Sequence, residues 1–216
     1  MRIRGLAAIL GVAAAALGAC APTAGPSAGA VGASAPGWPA GMTATPRPGT
    51  VAMASRLPAR IGPFERVRAV SGDGLVGLSV QYAVPLRDGR LWATVFVNDH
   101  GDAPVADGLG SAPVAQDHAL NLAAARGNSD GGAAIETTFG VADAPPQRCA
   151  VGTRRRGPGI VLNYACSTGV SGQILKVRAT AEVPSAAQED VRAVVGAVRR
   201  FVEEATRLAA AAPAGA

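Results

Sequence analysis

Aromatic side chains are scarce in this chain: Phe, Trp and Tyr together make up 4% of its 216 residues. The 49% of hydrophobic residues therefore includes a large share of alanine, and the length sets a prior of one domain with a tail. Lysine is nearly missing, with Lys176 alone against nineteen arginines, a bias of the kind a GC-rich genome produces. Histidine is limited to His100 and His118, and cysteine to three positions. The formal charge of +5 falls to about +3 if the segment holding Arg2 and Arg4 is removed. So mild a balance does not announce a nucleic-acid binder.

Catalytic patterns are also missing. There is no G-x-x-x-x-G-K to cradle phosphate and no G-x-G-x-x-G after a strand. The serine of "GVSG" (169–172) lacks the G-x-S-x-G setting. Glu136 and Glu182 fall in expected strands without an evident partner carboxylate, which gives general acid–base catalysis no support. "NDHGD" gathers Asp99, His100 and Asp102, with Asp107 beyond, but it follows a strand where Asn, Asp and Gly make turns, and it lacks zinc or calcium spacing. His118, beside Asp117, is expected on the solvated side of a helix. The reading is a non-enzyme with no metal and no cofactor.

No apolar run reaches the roughly 20 residues that span a bilayer. What is present is an export-type start: Arg2 and Arg4, an apolar centre from Leu6 to Leu17, then small residues before Cys20. Leu17-Gly18-Ala19-Cys20 resembles the lipobox of bacterial lipoproteins. The resemblance implies cleavage between Ala19 and Cys20, a diacylglycerol on the Cys20 sulfur and acylation of the new amine. Two or three chains anchor stably where one does not. Ala21, in place of the Asp that resembles an inner-membrane retention signal, points to the outer membrane, facing the periplasm. An ordinary secretory signal or an uncleaved anchor are the plainer readings.

With Cys20 set aside, Cys149 and Cys166 form an even pair, as an oxidising compartment favours. "CAVGTRRRGPGIVLNYAC" reads as two extended arms around Gly157-Pro158. A hairpin centred there sets Cys149 directly opposite Cys166, Val151 opposite Tyr164 and Thr153 opposite Leu162. A disulfide is expected; buried free thiols or redox chemistry are the alternatives, the latter without a C-x-x-C.

Residues 1–19 thus read as a leader, 20–57 as a disordered Ala/Pro/Gly tether, 58–210 as a globular domain and 211–216 as a tail. In the domain, 64–70, 76–82 and 90–98 alternate as strands, and Asp88-Gly89 signals a hairpin that sets Val95 against Tyr82. Trp92 and Phe96 project from the opposite face, so this strand is expected to be covered on both sides. Residues 111–126 read as a helix capped by Ser111. Four more strands follow (133–141, the cysteine hairpin and 172–183), then a capping box at Ser185–Gln188. Val191, Val194, Val195, Val198, Phe201, Val202, Ala205 and Leu208 form one face of a long C-terminal helix.

The expected fold class is α+β, an antiparallel sheet of about six to seven strands under a short helix and a long amphipathic one. This order resembles the PsbP/Mog1-type sandwich, a group containing binding and assembly proteins more than enzymes. Arg154, Arg155 and Arg156 at the hairpin tip, with Lys176 and Arg178 near them in a meander, are candidates to bind an anionic surface or an envelope protein. A solvated tip is the plainer account. A carrier of a small apolar ligand held between sheet and helix is the rival function.

Overall fold

A computed structural model describes residues 47–71, 77–85, 90–99 and 105–211 of the chain. Its centre is one antiparallel sheet of eight strands in the order β1-β2-β3-β4-β8-β7-β6-β5. The strands are β1 (Arg60–Ile61), β2 (Phe64–Ser71), β3 (Gly77–Pro85), β4 (Arg90–Asn98), β5 (Ala134–Val141), β6 (Ala144–Arg156), β7 (Gly159–Val170) and β8 (Gln173–Val183). Two meanders, β1–β4 and β5–β8, thus join edge to edge through their last strands. The helices are α1 (Pro48–Ser55), α2 (Ala112–Gly127) and α3 (Gln188–Ala210). The α+β class stands, with eight strands rather than six or seven; the extra one, β1, is two residues long and too short to show a period.

The cysteine hairpin has the register expected of it, with Cys149 paired to Cys166 and Thr153 to Leu162. Gly157, at φ +60°, supplies the positive dihedral that a two-residue hairpin turn needs before Pro158. The disulfide is formed, and both cysteines are wholly buried. The β3–β4 register differs from expectation: Val95 pairs with Val80 and Ala93 with Tyr82, a slip of two residues. A slip of two leaves every side chain on its original face, so the apolar pattern cannot distinguish the two registers. The Asp88-Gly89 turn lies outside the described residues.

One sheet face carries the main core. Val80, Tyr82, Ala93, Val95, Val177 and Ala179 point towards α3, whose Val198, Phe201, Val202 and Ala205 are buried against them. Phe201 is the hub, with its ring centroid 4.4 Å from that of Phe64 and 5.3 Å from that of Tyr82. The Tyr82 hydroxyl donates to the Pro58 carbonyl at 2.9 Å, and burial pushes its pKa up to about 12. Residues 60–64 at one end of the sheet and 140–142 at the other line one cleft beside α3, so the sheet curves around that helix and its other face is convex.

α1 lies within the stretch expected to be tether. Met53, Ala54 and Leu57 are buried in the core, and the Thr50 hydroxyl donates to Gln173 at 2.9 Å. These three apolar anchors suffice because the strands roof them over, which a composition average over 20–57 conceals. The expected caps also differ: the residue before α3 is Ala187, and the Ser185 hydroxyl accepts from the Ala187 amide at 3.0 Å instead of closing a capping box. Ser111 sits before α2 without a side-chain cap.

α2 rests on the convex face over β5, β6 and β7. Gly152 makes this approach feasible: a Cβ there would lie 2.6 Å from the Ala125 carbonyl oxygen of α2. No helix among the described residues is long and apolar enough to cross a membrane.

Candidate functional site

Directly paired residues of neighbouring strands share a sheet face, so the register locates every side chain of the convex face. One row reads Arg68–Gln81–Thr94–Arg178–Ala165 across β2, β3, β4, β8 and β7. The next reads Ala83–Trp92–Thr180–Asn163. A third joins Glu182 to Val161 and Val161 to Arg154. Among the described residues no helix covers the β2–β4 part of this face, since α2 lies over β5–β7 and both α1 and α3 occupy the other side; Arg154 stands on β6 beyond the point where Gly152 meets α2. Trp92 is 38% exposed, so at that end the strand is not covered on both sides as expected, while Phe96 on the same face is half-buried beside the buried Ser79 and Lys176.

The electrostatics of this surface are one-sided. Glu182 is tied to Arg156 and Glu65 to Arg60. Arg68 donates to the Gln81 amide oxygen at 3.0 Å, and Arg178 lies 5.7 Å from the centroid of the Phe96 ring, a cation–π arrangement. Neither has a carboxylate partner among the described residues, and the same holds for Arg154. The hairpin-tip arginines are not one cluster: Arg154 and Arg156 share the convex face, and alternation turns Arg155 away. The Arg155 backbone amide donates to Asp130 at 2.6 Å. Lys176 is not near the tip either.

Lys176 instead belongs to a polar layer trapped between α2 and the sheet. Its Nζ donates to Asp117 Oδ1 at 2.8 Å, and Asn121 donates to Asp117 Oδ2 at 2.9 Å. Burial pulls the Lys176 ammonium below the ordinary lysine range, and Asp117 opposes that shift. His118, expected on the solvated side, is 4% exposed: its Nε2 donates to Glu136 Oε2 at 2.6 Å, while Arg148 donates to Glu136 Oε1 at 3.1 Å. The hydrogen bonds from His118 and then Arg148 hold the Glu136 carboxyl below its usual pKa. The short apolar periods of α2 hid this, because the helix buries Val114, His118, Asn121 and Ala125 as a mixed stripe.

A cleft of about 660 Å³ lies where α3 meets the two ends of the sheet. Ile61, Phe64 and Phe201 contribute to its wall, and Arg60, Arg200, Glu203, Glu204 and Arg207 to its charged lining.

The chain matches no family model, no curated protein and no solved structure. Function must therefore be read from the residues themselves.

Of the remaining sequence candidates, Asp99 pairs with Arg47 at 2.7 Å and Asp107 accepts from the Ser171 amide at 2.6 Å. Among the described residues no three His, Cys, Asp or Glu side chains gather as a metal site would require. Ala19, Cys20, His100 and Asp102 lie outside the described residues. The sequence reading missed Arg68 and the exposure of Trp92. Its signal was the alternation that already set Trp92 and Phe96 opposite the core, but only the course of α2 shows that this half of the face is left open.

Proposed function

We propose that this chain is a lipid-anchored protein of a bacterial cell envelope whose α+β domain binds a partner and does not catalyse. The observation that carries this reading is the buried Cys149–Cys166 disulfide between β6 and β7, a bond that persists in oxidising compartments. It agrees with an export leader ending in Leu17-Gly18-Ala19-Cys20. The surface offered for binding is the open convex face, where Arg68, Arg154 and Arg178 are available to anions. Intact-mass analysis of protein extracted from the native membrane tests it: a chain starting at Cys20 and carrying diacylglycerol is expected, and Cys20→Ala should leave the chain unprocessed or released. A retained leader, or an unmodified thiol at Cys20, overturns the reading.

A second reading, the carrier of a small ligand, has the α3 cleft in its favour, since about 660 Å³ falls within the range of small-molecule sites. Its charged lining is mixed, with Arg207 held by Glu204 and Arg60 by Glu65, so it suits an amphiphile better than a purely apolar molecule. Native mass spectrometry of the detergent-extracted protein separates the readings: a stoichiometric bound molecule supports the carrier.

A further inference from the structure

We infer that the open half of the convex sheet face docks on an anionic phospholipid surface, that of the bilayer carrying the anchor, and so holds the domain down on its own membrane. The inference rests on the lipid-anchored reading and supplies the partner for its binding face.

Two observations carry it. The first is charge. Arg60 and Arg156 are neutralised by Glu65 and Glu182, whereas Arg68, Arg154 and Arg178 have no acidic partner among the described residues. Planar guanidiniums bind phosphate in forked pairs, and spread across β2, β6 and β8 they meet a surface of headgroups rather than one small anion.

The second is Trp92, 38% exposed amid Ala83, Thr94 and Thr180, residues too small or too polar to form an apolar pocket for a protein partner. An indole with one apolar body and one polar N–H partitions to the headgroup level of a bilayer. Arg178 over Phe96 adds a cation-and-ring pair in the neighbouring row.

Each arginine near an anionic surface contributes roughly fivefold to partitioning, so three give about a hundredfold. That is too little to recruit a free protein. It is enough for a tethered one, because the anchor supplies a high local concentration of the same surface.

The test uses the full lipidated protein with Trp38→Phe, which leaves Trp92 as its one tryptophan. It is inserted into vesicles of phosphatidylcholine with brominated acyl chains, with or without phosphatidylglycerol. Trp92 emission should be quenched on the phosphatidylglycerol vesicles and not on the neutral ones. Added salt, or the combined Arg68→Ser, Arg154→Ser and Arg178→Ser changes, should weaken docking about a hundredfold. Unquenched Trp92 on both vesicles, or quenching that the triple variant retains, overturns the inference. An acidic protein as the true partner would give that first outcome. Flotation reports the anchor separately: protein that floats with neutral vesicles and shows no headgroup-dependent quenching keeps the anchor and loses the docking.

Discussion

The Lys176 ammonium lies 2.8 Å from Asp117 Oδ1, and the two side chains are only 9% and 15% exposed. One comes from β8 and the other from α2, so the ion pair pins the helix to the convex face. Burial draws the Lys176 pKa down, and Asp117 holds it up. Removing one partner of a buried pair costs about 3–5 kcal/mol, whereas replacing both with apolar groups of similar size is often neutral. Asp117→Ala should therefore lose stability of that order in urea unfolding at neutral pH. A group with a depressed lysine pKa binds its proton more tightly when unfolded, so stability rises as pH climbs from the folded pKa towards about 10.4. The Asp117→Ala deficit should accordingly shrink in alkali. Asp117→Leu with Lys176→Met should recover most of the loss; a single variant costing under about 1 kcal/mol would show that the pair does not hold the helix.

The disulfide acts on the opposite face. Cys149 and Cys166 stand 17 residues apart in sequence and directly across from each other in β6 and β7. Closing a loop of that size contributes about 3 kcal/mol in the chain-entropy model. Cys149→Ala with Cys166→Ala should lower unfolding free energy by about that amount, and reductant should do the same to the native protein but nothing to the variant. Thiol titration of the native protein in denaturant, without reductant, should find neither cysteine free. Two titratable thiols there would refute the bond.

These two sites differ in how far they could be read from sequence. The disulfide was legible because a two-residue turn at Gly157-Pro158 fixes the whole register, and 149 and 166 fall opposite each other in it. The long apolar stripe of α3 was legible for the same local reason. The β3–β4 register was not, since pairing Val95 with Val80 or with Tyr82 leaves the same residues facing the core. The Lys176–Asp117 pair was illegible for a different reason. Where α2 lands depends on contacts between segments 59 residues apart, and its buried stripe includes His118 and Asn121, which no hydrophobic period marks. For the same reason the open area around Trp92 could not be told from a covered one.

His118 brings the last prediction, on acid stability. Its Nε2 donates to Glu136, and with Arg148 it holds the Glu136 carboxyl below the ordinary value near 4.3. A carboxyl with a depressed folded pKa contributes stability that is fully present above the unfolded pKa and is lost as pH falls through the folded one. Glu136→Gln removes that contribution at every pH. Its melting temperature should lie below that of the native protein at neutral pH, and the two curves should converge as pH falls through and below about 4. Because Glu136 belongs to β5 and His118 to α2, the converging curves would also report the helix loosening from the sheet in acid. Amide hydrogen exchange over residues 112–127 should then speed up at low pH in the native protein and already be fast at neutral pH in the variant. Parallel melting curves at all pH values, or exchange in α2 that ignores the substitution, would remove Glu136 from the forces that hold the helix in place.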